Sequence, residues 1–256
     1  MKTITIANQK GGVGKSTVAV TMCDGLRASG RRVLFVDTDP QANSTSSFHA
    51  ETDGVSTYYD LLKGEAGVEE VIQHTEYGDI IPSDHALRGI EETFAKELSN
   101  YLILKKALEE VSGQYDYGII DTSPNLGFFL TSAMIAADGI VIPVTADDYA
   151  ISGLQEMLHT CRDAKTMNPN LRIYGILLNR YDRRNSLDRS CWEQLPAVGQ
   201  QLGVHVFSTP IRVDQKLKSV QRGLNFFQQY PSSHAAEDFA AVIVELVKEI
   251  EGNGKE

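Results

Sequence analysis

Cysteine is scarce: Cys23, Cys161 and Cys191 are odd in number and far apart. That spacing argues against a disulfide framework and against a cysteine metal knuckle. Cys23, on an apolar helical face, reads as a small buried hydrophobe. Long apolar runs are missing too, since none approaches the roughly 20 residues that cross a bilayer. The apolar part of Met1-Lys2-Thr3-Ile4-Thr5-Ile6-Ala7 is too short for the hydrophobic region of a signal peptide. A cytosolic location is therefore expected. Positive charge is in deficit, with 24 Lys and Arg against 34 Asp and Glu, for a net charge of −10. Nucleic-acid-binding domains usually carry a basic balance, so any such contact here has to come from a local patch. No linker, internal repeat or low-complexity tract interrupts the 256 residues. That length suits one large α/β domain, and residues 1–256 are read as a single unit.

What is present alternates between two periodicities. Lys2–Ala7, Arg32–Asp37, Tyr117–Asp121, Gly139–Val144 and Leu171–Asn179 are short, nearly continuous apolar runs of the kind found in buried parallel strands. Asp79–Pro82 and Val204–Phe207 read as further short strands. Between them, Ser16–Ser29, Leu126–Ala137, Ile151–Thr166, Leu187–Leu202 and Ala235–Ile250 carry helical spacing. Thr57–Gln73 predicts short helices, Ala86–Val111 two helices broken near Ser99, and Thr38–His49 a loop. Strands alternating with helices imply a mostly parallel twisted sheet with helices on both faces. Ligands of such sheets sit at the carboxyl ends of the strands. Asn8, Asp37, Asp121, Thr145, Asn179 and Pro210 stand there.

The segment after the first strand is Lys10-Gly11-Gly12-Val13-Gly14-Lys15-Ser16-Thr17. Three glycines let successive backbone N–H groups turn inward onto an anion, and the next helix adds its positive N-terminal end. Lys15 would reach the β- and γ-phosphates of a nucleotide, the Ser16 hydroxyl would ligate Mg²⁺, and Thr17 could bond the α-phosphate. The usual phosphate loop has glycine six positions before its lysine; here Gln9 stands there and a second lysine, Lys10, follows it.

Lys-Gly-Gly-Val-Gly-Lys-Ser-Thr resembles the deviant Walker A phosphate loop of the ParA/MinD ATPases, a branch of the P-loop NTPases. Val36-Asp37-Thr38-Asp39-Pro40-Gln41-Ala42-Asn43 is similar to the family's second motif, and Ile119-Ile120-Asp121-Thr122-Ser123-Pro124 to its third, with Ser123 where the family usually has proline. Leu178-Asn179-Arg180 and the Pro210 region match as well, so the resemblance spans nearly the whole chain. It implies an ATPase that uses ATP and Mg²⁺. Asp39 would orient or activate the attacking water, with Lys10 and Lys15 as the other catalytic groups. Asp121 would hold the Mg²⁺, and Asp37 is a candidate to share its shell. Asn179, with Arg180 beside it, would read the adenine, and Pro210 and Ile211 would close the other side of the base. Lys10 would cross a dimer to touch phosphates bound by the other subunit. Without the resemblance, Lys10 could equally be a surface charge that steers ATP.

The branches of that family differ in what they bind. MinD-like members end in an amphipathic membrane helix; here Glu237, Asp238, Glu245 and Glu249 face Lys248 alone, and anionic lipid repels such a face. That helix is expected to pack on the sheet, with no membrane partner. No cysteine follows the switch motifs as an iron–sulfur branch requires. The ParA branch remains. It implies an ATP-bound homodimer on nonspecific DNA, a ParB-like partner that stimulates slow hydrolysis, and a cytoplasmic, nucleoid-associated protein that segregates a plasmid, a chromosome region or another cargo. Two basic groups are candidates for DNA: Arg180, Arg183, Arg184 and Arg189, then Arg212, Lys216, Lys218 and Arg222 on an expected helix. Phosphate binding needs several such contacts at once. A MinD-like membrane protein and a metabolic enzyme that activates a small substrate with ATP are the alternatives.

Overall fold

The computed structural model describes residues 1–146, 150–223 and 225–252. Seven strands form one sheet in the order β3-β4-β2-β5-β1-β6-β7. They are β1 (Lys2–Ile6), β2 (Val33–Asp37), β3 (Gln73–Thr75), β4 (Gly78–Ile81), β5 (Tyr117–Asp121), β6 (Gly139–Val144) and β7 (Arg172–Leu178). Every pairing is parallel except that of β3 with β4. The mostly parallel sheet with helices on both faces agrees with the sequence pattern.

Alternate residues of each strand feed opposite layers, as the two-residue period of a strand dictates. Phe35 and Ile119 join Met22 and Leu26 of α1 (Lys15–Ala28) and Phe239 and Leu246 of the long C-terminal helix His234–Gly252. Leu34, Val36 and Ile120 face the other way, onto Leu104 and Phe128. Each fully buried Leu or Phe of this kind contributes roughly 1.5–3 kcal/mol. The C-terminal helix therefore lies on the sheet, as expected. Its acids are partly engaged: Asp238 accepts from Arg212 Nε at 2.8 Å, and Glu245 accepts from Ser208 and contacts His205.

The departures are local. Thr38–His49 is not all loop: Asn43–Ser47 forms a short helix, α2. It has no apolar periodicity to betray it, and Asp37 and the Ser46 and Ser47 hydroxyls hold it by side-chain bonds to its backbone. Ala86–Val111 divides into His85–Gly89, Glu91–Phe94, Leu98–Leu102 and Ile103–Glu110, the first and third of them 3₁₀. The break at Ser99 is thus a tight turn of helix rather than a gap. The polar edge strand β3 has no apolar alternation to announce it. Val204–Phe207 makes no strand, only an isolated bridge from Val206 to Ile176. Gln215–Arg222 is a 3₁₀ segment.

Register sets the level of the carboxylates. β5 lies between β1 and β2, with Asp121 opposite both Ile6 and Asp37. The chain leaves β1 toward β2 on one side, while β6 and β7 fill the other, so the glycine loop after β1 sits where the strand order reverses, the usual ligand position in open α/β sheets.

Candidate active site

Gly14 begins α1 with φ 87°, and Gly12 has φ 80°, both in the left-handed region. A Cβ on Gly14 would stand 2.6 Å from Asn179 Nδ2; this position needs glycine for its backbone and for its neighbour. The loop is braced from its first limb. Asn8 donates from Nδ2 to the Pro143 carbonyl (2.7 Å) and accepts from Lys10 N (2.9 Å). Gln9 Nε2 donates to Thr160 Oγ1 at 2.5 Å.

A cleft of about 490 Å³ opens above this loop, lined by Gly11, Gly12, Gly14, Lys15, Ser16 and Thr17 together with Asp39, Thr122, Pro124 and Arg180. The three sequence motifs thus meet in one cavity. Lys15 is buried, and its ammonium rests on the Lys10 carbonyl at 3.3 Å. Desolvation lowers its pKa, against the pull of Asp121 and Asp39. Lys10 itself is half-exposed and is not among the cleft-lining residues.

Asp121 is fully buried at the carboxyl end of β5. Its Oδ2 accepts from Ser44 Oγ at 2.6 Å, while Oδ1 has no hydrogen-bond partner. Burial pushes its pKa up to about 6; the Ser16 and Ser44 hydroxyls beside it oppose that shift. An unpartnered buried carboxylate oxygen next to the Ser16 hydroxyl suits a hard divalent cation.

Asp37 differs. Its Oδ1 accepts from Asp39 N (3.0 Å), and its Oδ2 from both Thr45 N and Thr45 Oγ1 (2.8 Å each). Burial and the Asp121 charge raise its pKa. With both oxygens engaged, Asp37 organises the turn that carries Asp39 and α2, and Asp121 is the carboxylate left for a cation. Asp39 holds Gln41 N at 2.9 Å, and its carbonyl accepts from Ser83 Oγ at 2.6 Å.

A prediction arises from these two carboxylates. A carboxylate whose pKa is raised in the folded state binds protons better folded than unfolded, so its contribution to stability is lost as pH rises. For Asp121 that loss runs from the usual range near 3.9 up to about 6, and Asp37 extends it upward. In nucleotide-free, magnesium-free protein, Asp121→Asn should melt higher than wild type at pH 8, by on the order of 2–4 °C per kcal/mol regained. The gain should shrink toward pH 5. Melting curves of both proteins across that range check it; a difference independent of pH contradicts it.

A second cleft of about 250 Å³ adjoins the first, sharing Gly14, Thr17 and Arg180, and is also lined by Asn179, Val213, Asp214, Gln215, Leu217 and Lys218. Asn179 donates to the Val13 carbonyl at 2.8 Å, so its amide steadies the loop as well as facing the cleft. Ile211 does not close it: its side chain is wholly buried in the core, and neither it nor Pro210 lines the cavity. Arg212 to Gln215, with Leu217 and Lys218, form that wall instead. Asp214 caps the 3₁₀ segment there by accepting from Lys216 N.

Arg180 adopts φ 58° and lines both clefts. The two basic groups leave the sheet side by side, because Tyr181 and Arg212 bridge in parallel. Arg183, Arg184, Arg189, Lys216, Lys218 and Arg222 are exposed. Arg184 is held bidentately by Asp182 at 3.1 and 3.0 Å, and Arg189 donates to the Arg183 carbonyl. Lys216 lies over the Tyr230 ring. Arg212 is no member of this exposed group: it is neither on a helix nor free, being bound to buried Asp238 and to Glu237.

The family model described as an AAA domain matches residues 1–173. Over 99% of both chains, the sequence is 38% identical to the sporulation initiation inhibitor protein Soj of Bacillus subtilis. It is 37% identical to the chromosome partitioning protein ParA of Caulobacter vibrioides, over 84% of this chain and 83% of that one. The chain belongs to the ParA-type partitioning ATPase family. Solved ParA-like relatives share its fold. The Cyanothece McdA–ATP complex superposes with a TM-score of 0.84 at 25% identity, covering 98% of this chain and 96% of that one. Cobyrinic acid a,c-diamide synthase from Mycobacterium smegmatis, solved with ADP and magnesium, gives 0.84 at 26%, covering 99% and 96%. Among the described residues, no helix of this ParA-type chain is long and apolar enough to cross a membrane.

Proposed function

We propose that this ParA-type chain works as a single ATPase unit over residues 1–256. In this reading it dimerises around ATP, binds DNA without sequence preference, and partitions a plasmid, a chromosome region or another cargo in the cytoplasm, on the nucleoid. The observation that carries the reading is the division of labour between two loop lysines: Lys15 lines the phosphate cleft of its own chain, and Lys10 does not. That division supports a role for Lys10 at phosphates bound by a second chain.

The backbone N–H groups of Gly11 to Thr17 cradle the phosphates. Incoming phosphate charge replaces the Lys10 carbonyl as the partner of Lys15, repaying the desolvation that depresses its pKa. Ser16 and Asp121 would hold Mg²⁺, which when bound would supply positive charge to offset that of the phosphates. Asp39 orients the attacking water, and its turn is fixed by Asp37, Thr45 and Ser83. Asn179, Arg180 and residues 213–218 receive the nucleoside. An aspartate that only positions water makes a slow hydrolase, and a ParB-like partner accelerates it.

The exposed cations supply the DNA contacts, and their loss is the test. Combined Arg183→Ala, Arg189→Ala and Arg222→Ala changes, at exposed cations that line neither cleft, should abolish ATP-dependent DNA retention while leaving the ATP-bound dimer intact. Unchanged retention would move the DNA surface elsewhere. The fold shared with a diamide synthase favours a second reading, ATP-driven activation of a small carboxylate. Phosphate release that requires such a carboxylate and ignores DNA would support it over partitioning.

A further inference from the structure

The deviant loop replaces the usual glycine with Gln9, and neither the cradle nor the hydrolysis step uses that side chain. Its amide crosses to the helix Ala150–Ala164 and donates to the Thr160 hydroxyl, which itself donates to the Glu156 carbonyl at 3.2 Å. Thr160 is buried, so this anchor is set in the packed layer under the loop rather than in solvent. On the other flank, Asn8 ties Lys10 N to the end of β6 through its bond to the Pro143 carbonyl. The Lys10 carbonyl accepts from Lys15. The backbone leading into Lys10 is therefore fixed by Gln9 and Asn8, side chains that reach different parts of the fold, and these bonds remain when phosphate takes Lys15 from the Lys10 carbonyl.

Such bracing has a physical purpose. A loop with three glycines is costly to order, because glycine gives up more backbone freedom than any other residue. A lysine that must meet a charge on another subunit gains from having that cost met before the encounter. An ordinary phosphate loop, which contacts only its own nucleotide, has no need to aim the residue at this position.

We propose that Gln9 and Thr160 are positioning residues for Lys10. Their hydrogen bond sets the direction in which Lys10 leaves the loop, and so makes the ATP-dependent dimer depend on the helix that carries Thr160. The inference rests on the reading of Lys10 as a group acting across the dimer. The bond is made outside the cradle, so it bears on dimerisation rather than on nucleotide affinity. Each dimer contains it twice.

The test uses the full chain with Thr160→Val, Thr160→Ser and Lys10→Ala. Affinity for a fluorescent ATP analogue and dimer formation by light scattering are measured on the same preparations. Thr160→Val keeps the shape but removes the hydroxyl that Gln9 reaches; Thr160→Ser keeps the hydroxyl. The expected result is analogue affinity within about twofold of wild type for both Thr160 variants. The dimer dissociation constant should rise at least about tenfold in Thr160→Val, the equivalent of about 1.4 kcal/mol, and recover in Thr160→Ser. If Lys10→Ala abolishes the dimer and Thr160→Val dimerises normally, the positioning role is wrong and the cross-subunit reading stands. If Lys10→Ala dimerises normally, the reading and the inference both fall. Equal loss of nucleotide affinity in both Thr160 variants also overturns it, because a general weakening of the loop would then explain the effect.

Discussion

An Asp39→Ala variant should bind ATP, stay dimeric and stop turning it over. Every group that holds the nucleotide remains in place. The turn that carries residue 39 is fixed by Asp37 through Asp39 N and Thr45, and by Ser83 on the Asp39 carbonyl; none of these bonds uses the Asp39 side chain. Only the bond from Gln41 N is lost. What disappears is the one carboxylate that, among the described residues, lines the phosphate cleft and is free of the cation site. Loss of a group that positions or activates the attacking water typically costs ~10²- to 10⁴-fold. Phosphate release should fall by that factor while the dimer signal persists long after wild type has decayed. Normal hydrolysis by Asp39→Ala would remove the residue from its assigned role.

Lys10→Ala should produce the opposite pattern. Lys10 contributes its backbone to its own loop, through Asn8 and Lys15, and alanine preserves both bonds. Nucleotide affinity should therefore change little. Loss of a charge-assisted contact to phosphate at each of two sites, about 1.5–3 kcal/mol apiece, should raise the dimer dissociation constant by about two orders of magnitude or more. Light scattering with a slowly hydrolysed analogue shows it. An undiminished dimer would reduce Lys10 to a charge that steers ATP.

The strands and the phosphate loop were legible in the sequence because each obeys a local rule. Runs such as Val33–Asp37 and Gly139–Val144 are apolar at every position because both faces of a parallel strand are covered. The loop's glycines precede a lysine and a helix. Register then did what no local rule could: it set Asp37 and Asp121 side by side across two adjacent strands. Each carboxylate alone suggested a cation ligand, and only the pairing shows that one is consumed by Thr45 while the other keeps an unpartnered oxygen. α2 escaped because Asn43–Ser47 is held by side-chain hydrogen bonds, which leave no apolar period. The second cleft's wall was assigned by resemblance to Pro210 and Ile211, yet an apolar residue entering the core and one facing a cavity look alike in sequence. Arg212 shows the same limit for charge. In sequence it stands with Lys216 and Lys218, and in the fold buried Asp238 takes it.

The central claim is that ATP turns this chain into a dimer that grips DNA through exposed cations. Retention of the wild-type protein on a mixed-sequence duplex, with ATP, with ADP and without nucleotide, over a range of salt, tests it most directly. The account predicts retention with ATP alone, falling with salt along a slope of about −0.9 per phosphate neutralised and indifferent to duplex sequence. Retention equal in all three states, or absent from all of them, would contradict it.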